Sequence, residues 1–222
     1  MRYCLAFLAS ILYISLYSQD IQVGIMGGLT VFQGDYPSYR FKDTFTILAK
    51  PGFGLFLVSP VNEKLNVKGS IYFTTFSGDD RLKPILTGIR TPSSINYPAV
   101  ELLITGEYTP LELSLFNRSF GLYVLGGFGF SKTSFKNNVV DDSCPIVNIV
   151  LPFGLGFRTR INDMMGMFIQ MESTHALNDC LDGMKGFTST KDVYSSLKVG
   201  LTYGIHRETS NQFGKNIGCP RF

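Results

Sequence analysis

Ser173 and His175 are the pair whose types and spacing come nearest to nucleophilic chemistry. Two residues apart on an extended strand, they share one face, so hydroxyl and imidazole would stand side by side. Glu172, the adjacent carboxylate that could orient the imidazole, falls on the opposite face. The pair therefore reads as two polar residues at a rim, and a lipid-modifying hydrolase is the lesser alternative. His206, the second of the two histidines, is expected to be solvated.

The other reactive types are equally spare. Of four cysteines, Cys4 lies in the leader, and Cys144, Cys180 and Cys219 match no zinc spacing. Cys144 and Cys180 could form a disulfide if their loops are neighbours in an oxidising compartment. The acidic pairs Asp79-Asp80 and Asp141-Asp142 are expected to be solvated rather than metal-binding. Leu125 to Phe130 is glycine-rich but lies within an alternating segment and opens no helix, so it is no phosphate loop. No metal or cofactor site and no small-molecule substrate is evident. Charged residues make up 17% of the chain, with a formal net charge of +3 and no basic tract, which argues against a nucleic-acid partner.

The first residues read as a secretory signal. Arg2 is followed by a nearly unbroken apolar run, Leu5 to Leu16, with cleavage expected between Ser18 and Gln19. Beyond it no apolar run approaches the ~18 residues of a spanning helix. The remainder, rich in glycine and aromatic residues, alternates instead.

Eight alternating segments are legible: Ile21–Gly34, Lys50–Ser59, Leu65–Phe76, Ala99–Tyr108, Ser119–Lys132, Ile149–Arg160, Met165–Thr174 and Lys198–Ile205. In the first, Ile21, Val23, Ile25, Leu29 and Val31 share a face. In the last, Val199, Leu201, Tyr203 and Ile205 do, while Lys198, Gly200, Thr202 and Gly204 take the other. Connections are long after the odd segments and short after the even ones. Pro60 to Lys64, Thr109 to Arg118 and Asn162-Asp163 are the short ones. That parity, with segments of about 10 residues, fits a membrane-crossing barrel better than a soluble sandwich. The expectation is all-β: one eight-stranded antiparallel transmembrane up-and-down β-barrel over residues 19–205, about the size of OmpA or OmpX. It would sit in outer-membrane lipid with both termini periplasmic and a periplasmic tail over 206–222.

Eight strands leave an interior filled by side chains. The inward rows carry Glu101, Glu107 and Glu172 against Lys68, Arg158, Arg160 and Lys198. Such charges are costly unless paired, so ion pairs across the lumen are expected, making it a rigid plug rather than a pore.

Several stretches resemble the PorG-like outer-membrane barrel family of Bacteroidetes. Gly24 to Asp35, with paired Gly27-Gly28 and the exit Gly34-Asp35, resembles its opening strand, although Phe32 stands where tyrosine is usual. Lys50-Pro51 and Gly78-Asp79-Asp80 resemble its strand-two and strand-three boundaries. Asp179, Leu181 and Asp182 match its Asp-rich loop, in which Cys180 replaces a tyrosine and Gly183 an aspartate. Cys219-Pro220-Arg221-Phe222 resembles its ending. The resemblance implies a non-enzymatic part of the type IX secretion and gliding machinery, with periplasmic or outer-membrane proteins of that complex as partners. A stand-alone barrel for envelope stability, or for adhesion through external loops, is the alternative.

Overall fold

The computed structural model describes residues 20–33, 49–79, 94–115, 118–134, 147–162, 164–178, 181 and 192–206. Within them lie eight strands: β1 (Asp20–Gln33), β2 (Lys50–Pro60), β3 (Leu65–Asp79), β4 (Ser94–Leu115), β5 (Arg118–Thr133), β6 (Val147–Arg160), β7 (Met165–Ala176) and β8 (Val193–His206). Each pairs antiparallel with the next, and β8 returns to β1 to close the barrel. Closure pairs both edges of each strand within the circuit of ladders, which a lipid-embedded sheet requires. Residues 1–19 and 207–222 lie outside the described residues, and so do the expected cleavage point, Cys144, Cys180, Asp179, Asp182 and the Cys219–Phe222 ending.

The connections at one end are 61–64, 116–117 and 161–164; those at the other are 34–49, 80–93, 134–146 and 177–192. The two four-residue turns share one device. The Asn62 Oδ1 accepts the Lys64 and Leu65 amides at 2.9 and 2.8 Å, and the Asn162 Oδ1 accepts those of Met164 and Met165 at 3.0 and 2.6 Å. An asparagine side chain thereby replaces a backbone carbonyl in the turn.

The fourth segment corrects the sequence reading. β4 runs on to Leu115, and most of the expected link over 109–118 is the tip of a β4–β5 hairpin. Pro110 has no amide to donate, but a register shift between Tyr108 and Leu111 absorbs it, and pairing resumes as far as Leu115–Arg118. The β3–β4 ladder stops at the Leu65–Tyr108 pair, so this ribbon projects past the rest of the short-turn end.

The stagger of the barrel can be followed through its pairs. From Leu122 they run to Phe157, Ile169, Val199, Gly27, Phe53, Phe73, Val100 and finally Lys132, ten residues along β5 (132 − 122 = 10). An even stagger joins inward rows to inward rows on closure. It also tilts the strands, by roughly 35–45° in barrels of this kind.

Outward rows are apolar and exposed: Ile25, Phe53, Leu55, Leu57, Leu102, Val124, Phe153, Leu155, Met171 and Ile205 are among those at least 48% open. A continuous belt of this kind is stable only against hydrocarbon. Tyr108 and Tyr203 face outward near the short-turn end, where an aromatic girdle is expected. Val31, expected on the outward row, is instead buried. The inside has two apolar clusters. Phe32, Phe76, Tyr97, Ala99, Leu103, Val150, Ala176, Leu181 and Tyr194 fill the long-loop end; Met26, Phe56, Val58, Tyr72 and Phe168 lie toward the short turns.

Candidate functional site

Between these clusters runs a hydrogen-bonded chain of charges contributed by strands that are far apart in sequence. The Glu107 carboxylate on β4 takes Lys68 Nζ of β3 on one oxygen at 3.2 Å and Arg158 Nη2 of β6 on the other at 2.9 Å. Lys68 also donates to the Gln170 Oε1 at 2.8 Å, and the Tyr123 hydroxyl donates to the same oxygen at 3.1 Å. Gln170 passes the chain on, its Nε2 donating to the Glu172 Oε2 at 2.8 Å. Glu172 Oε1 accepts Lys198 Nζ at 2.7 Å.

Aromatic faces complete the cations' surroundings. Lys68 Nζ lies 5.1 Å from the Phe56 ring centroid and 4.4 Å from that of Phe168. Arg158 lies 4.4 Å over Tyr123, and Lys198 4.5 Å over Tyr72. Ring faces stabilise a desolvated cation without adding a second carboxylate.

Five of the seven residues singled out for the lumen therefore belong to one network, Lys68, Glu107, Arg158, Glu172 and Lys198, while Arg160 lines the open end of the lumen. Glu101 lies outside the network. It is fully buried, and neither carboxylate oxygen has a hydrogen-bond partner of standard geometry. Its inward parity was readable; that it would make no ion pair of its own was not, because that depends on where β4 sits around the barrel. Gln170, the bridge between the two ion-pair groups, lies two residues from Glu172 on β7 and so shares its inward row. Nothing in a linear sequence marks a neutral amide as the link between distant strands.

Leu181 is the described member of the Asp-rich loop. It is fully buried in the long-loop cluster, and its amide donates to the Asp192 Oδ2 at 2.7 Å. Tilted ring contacts of Phe76 with Phe32 at 5.1 Å and with Tyr194 at 4.9 Å fill the same end. Apolar packing therefore closes the described lumen there.

At the other end the lumen opens. A cavity of about 470 Å³ is lined by Phe56, Val58, Phe168, Met164, Arg158 and Arg160, together with Lys68, Glu107 and Tyr123. In this vestibule Lys68, Arg158 and Arg160 are matched by Glu63, Glu107 and Glu112, whereas Glu172 and Glu101 outnumber Lys198 among the buried charges further in.

Ser173 and His175 share the outward face of β7. His175 is exposed on the outward face with its ring 6.3 Å from that of Phe153. Glu172, the nearest carboxylate in sequence, is turned into the lumen and held by Lys198. Among the described residues no cluster of His, Cys, Asp and Glu is arranged to hold a metal ion.

No family model matches the chain, and no curated protein matches it in sequence. Solved structures do match. Neisserial surface protein A aligns at TM-score 0.50 and 9% identity, over 82% of this chain and 96% of its own. The outer membrane protein OprG of Pseudomonas aeruginosa aligns at 0.46 and 12% identity, over 84% and 96%. The attachment invasion locus protein Ail of Yersinia pestis aligns at 0.45 and 10% identity, over 85% and 99%. At such identities the likeness extends to the fold: an eight-stranded closed antiparallel β-barrel of the outer-membrane kind.

Proposed function

We propose that this chain is a non-enzymatic outer-membrane β-barrel that serves as a structural component of the type IX secretion and gliding machinery. Its short turns, its tail and both termini face the periplasm in this reading, and its partners are periplasmic or outer-membrane proteins of that complex. The observation that carries a structural rather than a conducting role is the filled lumen. A buried ion-pair chain and the Phe32–Leu181 cluster leave no continuous path through the described barrel. The projecting β4–β5 ribbon supports contact at the short-turn end, because past Thr109, whose amide donates to the Lys64 carbonyl, the β3 side of β4 has no ladder partner among the described residues. Free strand edges of this kind accept a further strand from another protein. The motifs that resemble the family supply the identity of the machinery.

The experiment replaces residues 112–121 with a two-residue Asn-Gly turn, which shortens the ribbon but keeps Leu111 opposite Leu122 and so keeps the hairpin. A heat-modifiable barrel that no longer co-purifies with its complex and no longer supports cargo secretion is the expected result. Normal secretion after deletion of the whole chain overturns the reading. In that case a stand-alone role in envelope stability or adhesion remains, and trimming 34–49 or 134–146 should then matter more than trimming the ribbon.

A further inference from the structure

Resting on the reading just proposed, with the short turns in the periplasm, we infer that the open edge of the β4–β5 ribbon receives an extended basic segment of a periplasmic protein, a lysine or arginine of which is set toward Glu63 and Glu112. The main chain provides the seat. The β3–β4 ladder ends at the Leu65–Tyr108 pair, and one further bond, from the Thr109 amide to the Lys64 carbonyl at 2.8 Å, closes it. β4 then runs on to Leu115 with β5 on one side only, among the described residues. Every second residue of that stretch turns its main-chain polar groups to the open side. A strand laid there continues the sheet in the place that β3 has vacated.

Side chains decide the charge. Glu112 lies opposite Gly121, itself opposite Arg158, which puts it on the inward row. Glu63 stands on the 61–64 turn, next to the Lys64 whose carbonyl ends the β3 ladder. Both are exposed, and both line the mouth of the barrel. Among the described residues neither has an ion-pair partner. The cations of the same lining are engaged: Lys68 and Arg158 hold Glu107, and Arg160 has an interaction of its own. Lys64 is exposed on the turn but lies outside the lining. An added strand alternates its side chains, so every second one faces the mouth beside Glu112. A cation there gains a charge-assisted contact, whereas an anion meets like charges. A second copy of the chain does not fit this edge. Two barrels related by a two-fold axis along the membrane normal bring together strands tilted by roughly 35–45° each, which cross at about twice that angle instead of forming a ladder.

The probe is a capped ten-residue peptide alternating threonine and lysine, its threonines favouring an extended chain. The comparator alternates threonine and glutamate. Each is titrated against the full chain in phosphatidylcholine nanodiscs, which carry no net charge, and hydrogen exchange of the amides over 111–115 is followed by mass spectrometry. Saturable protection by the basic peptide is expected, weakened about tenfold by Glu63→Gln with Glu112→Gln, the scale of one lost charge-assisted contact. Both residues lie outside the buried network, and heat-modifiable migration checks that the double variant is a closed barrel. Equal protection by the acidic peptide, or protection unchanged in the double variant, overturns the basic partner. No saturable protection by either peptide overturns the edge as a docking site. In cells, a double variant that keeps its complex while the shortened ribbon loses it overturns the charge recognition and leaves the secretion reading standing; normal secretion after deletion of the chain sinks that reading by itself.

Discussion

The Lys198 ammonium lies 2.7 Å from Glu172 Oε1, with the two side chains 1% and 2% exposed. The pair joins neighbouring strands β7 and β8 inside the barrel, and Gln170 ties it to the Lys68–Glu107–Arg158 group. A charge pair sealed this deeply holds its geometry only while both members are present.

Removing one member should therefore cost far more than removing both. Lys198→Met is expected to lower stability by about 3–5 kcal/mol, because Glu172 is left desolvated and unpaired. The double variant Lys198→Met with Glu172→Leu should recover most of that loss, showing strong coupling. Urea titration in lipid vesicles, read by heat-modifiable gel migration, measures both. A single-variant loss below about 1 kcal/mol would contradict the network.

Glu101 should behave in the opposite way. Its oxygens have no hydrogen-bond partner of standard geometry, and only the Tyr194 hydroxyl and the more distant attraction of Lys198 act on them. Glu101→Gln keeps the shape and removes a buried charge, so the folded barrel is expected to be unchanged or more stable by about 1–3 kcal/mol. The same titration checks it, and a loss of the size expected for Lys198→Met would show that Glu101 is paired after all.

Two glycines separate close packing from open space. A methyl added at Gly156 would meet the Tyr123 ring and its hydroxyl at 2.5 and 2.6 Å, along with the Ile169 carbonyl at 2.8 Å. Gly156→Ala should cost about 1–3 kcal/mol by overpacking and displace Tyr123 from Arg158. At Gly69 nothing lies within 4 Å of the added methyl, so Gly69→Ala should stay within about 0.5 kcal/mol of the parent. Equal effects at both positions would refute the packing described for the vestibule.

The outer belt can be tested by charge. Leu55 is 61% exposed in the middle of β2, so Leu55→Arg should cost about 2–4 kcal/mol in a bilayer. Val61 is also exposed but lies in a turn, and Val61→Arg should cost about 0–1 kcal/mol. Parallel unfolding titrations in vesicles decide it. Indifference to Leu55→Arg would mean that this surface does not face lipid.

The elements were legible because their signals are local. A period of two records which side of the sheet each residue faces, and the parity of connection lengths distinguishes the two barrel ends. Lys68, Glu107, Arg158, Glu172 and Lys198 could be assigned to the lumen from that period alone. The strand ends were less legible. Pro110 reads as a break in the sequence, and only the bulge after Tyr108 shows how β4 continues past it.

The amino-acid sequence by itself determined the number of strands, the face of nearly every residue and the grouping of long and short connections. Tertiary structure decided which charges meet, that Gln170 joins them while Glu101 stands apart, and that one end is filled while the other opens into a vestibule. The physical reason is closure. A ten-residue stagger around eight strands sets which inward residues face one another across the lumen, and that offset belongs to the whole circuit of pairs rather than to any one strand.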